Sequence, residues 1–153
     1  MKKPIIYWIR RDLRIHNNPA LKFAIDSNQP VIPVFIKDEF VDKLGAAPKW
    51  RLGLGLEHLT KEFKKCGIDI IFKSGSAEKV LTELINETEA NKVVWGRTYL
   101  PSVNNRDAKI KSLLKEKGLS VKSFPGHLLF EPWTVSPKSS EFFKVYTPFW
   151  KVT

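Results

Sequence analysis

The sequence predicts an α/β fold, a doubly wound five-stranded parallel sheet of order 3-2-1-4-5 with helices on both faces. Short apolar runs alternate four times with segments of helical periodicity and close on a fifth run. Such alternation requires crossover helices, which pack right-handedly onto a parallel sheet. No internal repeat or low-complexity tract interrupts the pattern. The length, 153 residues at 42% hydrophobic and 27% charged, suits a single soluble domain with its own core.

Each element has a local reason. Ile5-Ile6-Tyr7-Trp8-Ile9 reads as a buried first strand. Asn18 then caps a helix whose first turn holds Pro19, where a missing N–H costs nothing. Val31-Ile32-Pro33-Val34-Phe35-Ile36 reads as a second strand, in which Pro33 removes one ladder donor. Pro48 opens a second helix, with Leu52, Leu56, Leu59, Phe63 and Cys66 recurring on one face, and Gly67 offers a left-handed stop. Ile68-Asp69-Ile70-Ile71-Phe72 reads as the third strand. Ser76 begins a helix with Val80, Leu81, Leu84 and Ile85 inward, and Lys92-Val93-Val94-Trp95 follows as the fourth strand. Ser102, after Pro101, caps a helix carrying Val103, Ile110, Leu113 and Leu114 to a stop at Gly118. Leu119 to Phe124 completes the sheet.

From Pro125 the character changes. Pro125, Pro132, Pro137 and Pro148 punctuate an irregular, aromatic-rich segment ending Phe142-Phe143-Lys144-Val145-Tyr146-Thr147-Pro148-Phe149-Trp150. Residues 1–124 therefore form the expected α/β domain, and 125–153 a segment shaped to pack on something else. Phe142, Phe143, Phe149 and Trp150 are expected to form an apolar patch prone to self-association.

Composition narrows the function. The formal charge of +10 fits either phosphate binding or a lysine-rich solvated surface. No apolar run approaches the ~20 residues of a membrane span, so no membrane partner is expected. Met1-Lys2-Lys3-Pro4 leads into an apolar stretch that soon meets Arg10, unlike a secretory leader. The single Cys66 forms no intrachain disulfide and no cysteine-rich zinc site, which suits a reducing cytoplasm. It reads as a core residue. His16, His58 and His127 lack ligand spacing to one another, so no metal site is expected.

Open parallel sheets bind ligands beyond the carboxyl ends of their strands. That rim gathers Arg10-Arg11-Asp12-Leu13-Arg14, Lys37-Asp38-Glu39 and Gly96-Arg97-Thr98-Tyr99. The arginines either grip a phosphate or form an internal ion-pair lattice with Asp12. No G-x-G-x-x-G follows the first strand and no Walker lysine motif is present. Gly53 and Gly55 sit inside a helical pattern at a cost of roughly 1 kcal/mol each, which helix packing explains more simply than ligand approach. Trp8 and Trp95 read as core. Trp50, beside Arg51, is placed to line a rim pocket.

Tyr7 to Leu21, running through Arg10-Arg11-Asp12-Leu13-Arg14 and His16-Asn17-Asn18-Pro19-Ala20, closely resembles the opening signature of DNA photolyases and cryptochromes. Phe143-Lys144-Val145-Tyr146-Thr147-Pro148-Phe149-Trp150-Lys151 resembles the motif that leads out of that family's α/β domain. Between them, Trp95 to Pro101 and Arg106-Asp107 fall where the family has Tyr-Glu-Pro and Arg-Asp. The resemblance implies the N-terminal, antenna-bearing domain of a light-dependent repair enzyme that splits cyclobutane pyrimidine dimers. It places FAD, catalysis and most DNA contacts in a helical domain beyond this chain, so the chain alone should repair nothing. The implied partners are that helical domain and, through the full-length protein, DNA.

The resemblance further implies an antenna of folate or deazaflavin/flavin type, with Phe35, Ile36, Lys37, Trp50, Arg51, Gly96, Arg97 and Thr98 as its candidate site. Arg10, Arg11, Asp12, Arg14, Tyr146, Thr147, Pro148, Phe149 and Trp150 are assigned structural or inter-domain roles, and no residue a catalytic one. Leu100 and Thr98 stand where family members commonly carry acids, and Asn17 replaces a common Asp. A cryptochrome-type photoreceptor domain and a stand-alone nucleotide- or nucleic-acid-binding module are the alternative readings.

Overall fold

The computed structural model describes residues 2–137 and 142–153. Eleven elements occur among them: β1 (Ile5–Ile9), α1 (Pro19–Asp26), β2 (Val31–Lys37), α2 (Glu39–Asp42), α3 (Ala46–Lys65), β3 (Ile71–Ser74), α4 (Ala77–Thr88), β4 (Lys92–Gly96), α5 (Pro101–Glu116), β5 (Ser120–Phe124) and α6 (Tyr146–Trp150). The strands form one parallel sheet of order β3-β2-β1-β4-β5, as the alternation predicts. Central β1 aligns Ile5 with Val31 of β2 and with Lys92 of β4.

Alternation along the strands builds two cores. Ile6, Trp8, Val34, Ile36, Val93 and Trp95 point to one face, beneath Val80, Leu81 and Leu84 of α4 and Ile110 and Leu114 of α5. Ile5, Tyr7, Ile9, Phe35 and Val94 point to the other, beneath Leu21 and Ala24 of α1 and Leu59 and Phe63 of α3. Removing each Val, Leu, Ile or Phe side chain among these from water contributes roughly 1.5–3 kcal/mol. Trp8 and Trp95 meet edge-on with centroids 5.5 Å apart, a geometry that suits the ring quadrupoles.

Local signals act largely as expected. Asn18 accepts from Leu21 N through its side chain and caps α1. Pro33 lies just before Val34, the first β2 residue paired with β3, so β2 has a single partner strand there and the missing donor is tolerated as on an edge. Gly67 adopts φ +74°, and Ile68 N donates to Phe63 O while Gly67 N donates to Lys64 O, closing α3.

Five expectations change. α3 starts at Ala46, ahead of Pro48, because Gly45 takes the extended cap conformation. β3 runs Ile71–Ser74, later than the apolar run, since its pairing to β2 begins only at Ile71. Leu100, not Ser102, is the cap residue of α5, and Pro101 occupies the first turn. Cys66 is exposed at the end of α3, past the last turn that touches the sheet. The C-terminal segment is not wholly irregular, for it contains the short helix α6. The sequence reading also lacked α2, a single turn whose capping residue, Asp38, accepts from Phe40 N and Val41 N at 3.1 Å.

Candidate functional site

The carboxyl rim of the sheet is tied together by charge. Arg10, at the end of β1, donates to Asp107 of α5 at 2.7 Å. Arg106 donates to the other oxygen of Asp107 at 2.8 Å and to Asp38 in front of α2. Both guanidiniums lie against Trp8, Arg10 at 4.1 Å from the ring centroid and Arg106 at 5.4 Å, and Arg106 also covers Phe40. Burial pulls the Arg10 pKa down from its ordinary value against the pull of Asp107. Burial opposes the Arg106 charge too, but its hydrogen bonds to Asp107 and Asp38 and the charges of those carboxylates outweigh it and raise its pKa. Arg14 grips Asp12 through two bonds of 2.7 and 2.8 Å, which raise the Arg14 pKa. Of the two readings of the arginine loop, the geometry builds the ion-pair lattice, in which Arg10 reaches Asp107 far away in sequence and Arg106 links that carboxylate to Asp38. Arg11 alone of the three arginines has no carboxylate partner among the described residues, and it is exposed.

A second polar node sits after β4. Arg97 donates to Glu131 at 2.6 and 3.1 Å and to the carbonyl of Ser123 at 3.0 Å. Tyr99 adds a hydroxyl bond to Glu131 at 3.1 Å, and its ring meets His127 edge-on. Gly126 fits beneath because a Cβ there would lie 2.4 Å from Arg97 O. This node fastens residues 125–137 to the end of the sheet.

Between these ties runs a groove of about 960 Å³. Its walls include Arg11, Leu13, Arg51, Gly55, His58 and His127. Arg51, Gly55 and His58 recur along α3 at four and three residues, a helical face that the sequence displays and that site reasoning passed over, except for Arg51. Gly55 admits Leu13, whose Cδ1 would lie 2.5 Å from an added Cβ, whereas Gly53 faces open space.

The eight candidate chromophore residues do not converge on one recess. Phe35, Ile36 and Thr98 line a cavity of about 40 Å³, room for a water and not for a fused ring. Gly96, Arg97 and Thr98 line a smaller one of about 10 Å³. Arg51 belongs to the large groove. Lys37 pairs with Asp42 at 2.8 Å, and Trp50 is 69% exposed outside these three recesses. In the C-terminal segment Tyr146, Thr147, Pro148, Phe149 and Trp150 form α6, where Tyr146 stacks on Trp150 with centroids 6.1 Å apart. Among the described residues no cluster of His, Cys, Asp and Glu could hold a metal, and no helix is long and apolar enough to cross a membrane.

Known proteins share this sequence pattern and fold. The chain is 43% identical over 148 residues to a deoxyribodipyrimidine photo-lyase of Agrobacterium fabrum, matching 97% of this chain and 31% of that protein. It is 37% identical over 155 residues to Cryptochrome-2 of Arabidopsis thaliana, covering 99% of this chain and 25% of the relative. The crystal structure of a bacterial class III photolyase from Agrobacterium tumefaciens superposes with a TM-score of 0.92 at 40% identity, over 99% of this chain and 31% of that one. An archaeal photolyase from Sulfolobus tokodaii, solved with two FAD molecules, gives a TM-score of 0.74 at 30% identity over 85% of this chain and 31% of that one. The chain thus spans about a third of the length of these photolyases. Residues 5–153 match the family model for DNA photolyase, and the chain belongs to the DNA photolyase family.

Proposed function

We propose that this chain serves as the light-collecting part of a photolyase that repairs pyrimidine dimers in DNA, holding an antenna chromophore in the groove along α3. The observation that carries the reading is the groove itself. At about 960 Å³ it has the size of a cofactor site, it lies at the carboxyl rim where such folds bind ligands, and it pairs an apolar wall with cations. Leu13, Leu52 and Leu54 offer the wall to a planar ring, and Arg11 and Arg51 stand open to an anionic tail. These residues fit a folate or a flavin-type chromophore alike. When bound, that chromophore supplies absorption of blue or near-ultraviolet light and passes the excitation onward. The protein's part is to desolvate the ring, orient it and neutralise its tail.

In this reading a helical domain with FAD performs the electron transfer that splits the dimer and makes most DNA contacts, and this chain alone repairs none. The kinship with Cryptochrome-2 supports a second reading, a photoreceptor domain with the same groove and a signalling output. The single cysteine accords with a cytoplasmic setting, and the aromatic surface around α6 with self-association of the isolated chain.

The test is direct titration of the chain with 5,10-methenyltetrahydrofolate, FMN and a 5-deazaflavin, read by chromophore fluorescence and absorption. One of the three should bind saturably, and Arg51→Ala should weaken it about tenfold, in keeping with loss of a charge-assisted bond. Saturable binding by none removes the antenna reading.

A further inference from the structure

A separate recess of about 160 Å³ opens on the other side of the rim, between α5 and the ends of β4 and β5. α5 lines it with Asn104, Asp107, Ala108 and Lys111, one face at helical spacing; β4 contributes Trp95, the loop after it Arg97 and Thr98, and β5 Ser123. The volume falls below the roughly 300 Å³ at which drug-sized sites begin, so its occupant is a group of a few atoms. Its electrostatics are unbalanced in one place. Arg97 is matched by Glu131, and Arg10 and Arg106 by Asp107 and Asp38. The carboxylate of Asp107 is therefore already neutralised by two guanidiniums on opposite oxygens. Lys111 has no carboxylate partner among the described residues, and its ammonium reaches only Ser123 Oγ at 3.3 Å. Burial first, then the charges of Lys115 and Arg97, push the Lys111 pKa down. A part-buried cation beside other cations thus has no counter-charge among the described residues.

We infer that this recess binds a phosphate group, with Lys111 as the charge partner and the hydroxyls of Ser123 and Thr98 and the amide of Asn104 as hydrogen donors to its oxygens. A phosphate brings several acceptor oxygens and a charge of the missing sign, which the donor set matches. Free orthophosphate and the phosphate of a nucleic-acid strand share that chemistry. The site is distinct from the groove along α3 and shares none of that groove's lining residues.

The experiment is NMR titration of the 15N-labelled chain with inorganic phosphate at low ionic strength, with a short oligonucleotide as competitor. Phosphate should shift the amides of Asn104, Lys111 and Ser123 saturably. Lys111→Gln should weaken binding roughly tenfold or more, Lys111→Arg should retain it, and Lys115→Gln should change it less than about twofold, as an exposed charge does. Displacement of phosphate by the oligonucleotide assigns the site to a strand phosphate, and its failure assigns it to the free ion. No saturable shift in the unaltered chain, or equal losses in Lys111→Gln and Lys115→Gln, overturns the inference. The unaffected amides of β1 and β4 report that each variant is folded.

Discussion

Asp107 is 6% exposed and accepts from two arginines at once. Removing it leaves Arg10 and Arg106, both largely buried, without their shared counter-charge. Asp107→Ala should lower stability by about 3–5 kcal/mol, read from urea denaturation, while Arg14→Ala at its exposed bridge should cost under about 1 kcal/mol. Tyr7 makes a pH-dependent contribution. Burial raises its pKa from 10.0 to about 12, against the lowering by the Asn18 hydrogen bond and with a smaller rise from Asp12. The fold therefore favours the neutral phenol. Its stabilisation is complete below pH 10 and is lost as pH climbs toward 12. Unfolding free energy should fall by about 1.4 kcal/mol per pH unit across that window, in excess of the slope of Tyr7→Phe measured beside it. Equal slopes in the two proteins would remove Tyr7 as the source.

At the level of elements, α3 separates two glycines of opposite meaning. Gly53 faces open space, so Gly53→Ala should raise stability by about 0.5–1 kcal/mol through helix propensity. Gly55→Ala should show no such gain, because Leu13 must move; matched thermal melts decide it. Gly126→Ala drives a Cβ against the Arg97 carbonyl and should release residues 125–137, seen as faster proteolysis there with the sheet intact. The strands and most helices were legible because apolar period and caps are local: Asn18, Pro19 and Gly67 each announce their role within a few residues. α2 was not, since a four-residue turn has no period and depends on one carboxylate, Asp38, held from α5 by Arg106. β3 was misplaced because apolar content marks burial, whereas strand bounds follow pairing, and Ile70 is buried without being part of the ladder.

For the molecule as a whole, the candidate site was less legible than the fold. Residues that share a rim are dispersed along the chain, and only three-dimensional placement shows that Arg51 faces the large groove while Phe35 and Ile36 face a cavity too small for a chromophore. The same holds for the arginine loop, whose local partner Asp12 serves Arg14 while Arg10 reaches across ninety-seven positions to Asp107. Within residues 142–150 Phe143 and Phe149 pack on each other at 5.9 Å and are half-buried, leaving Phe142, Tyr146 and Trp150 as the outward aromatics of that stretch. Sedimentation should show association that grows with concentration and is abolished by Tyr146→Ser with Trp150→Ser, as a contiguous apolar surface predicts. The perpendicular indole pair at the centre of the sheet has its own optical consequence. Trp8 and Trp95 are 1% and 2% exposed, while Trp50, Trp133 and Trp150 are at least 63% exposed. Dissolved iodide should therefore extinguish the emission of three indoles and leave that of two, so the glow surviving the quencher comes from the interior and reports its integrity.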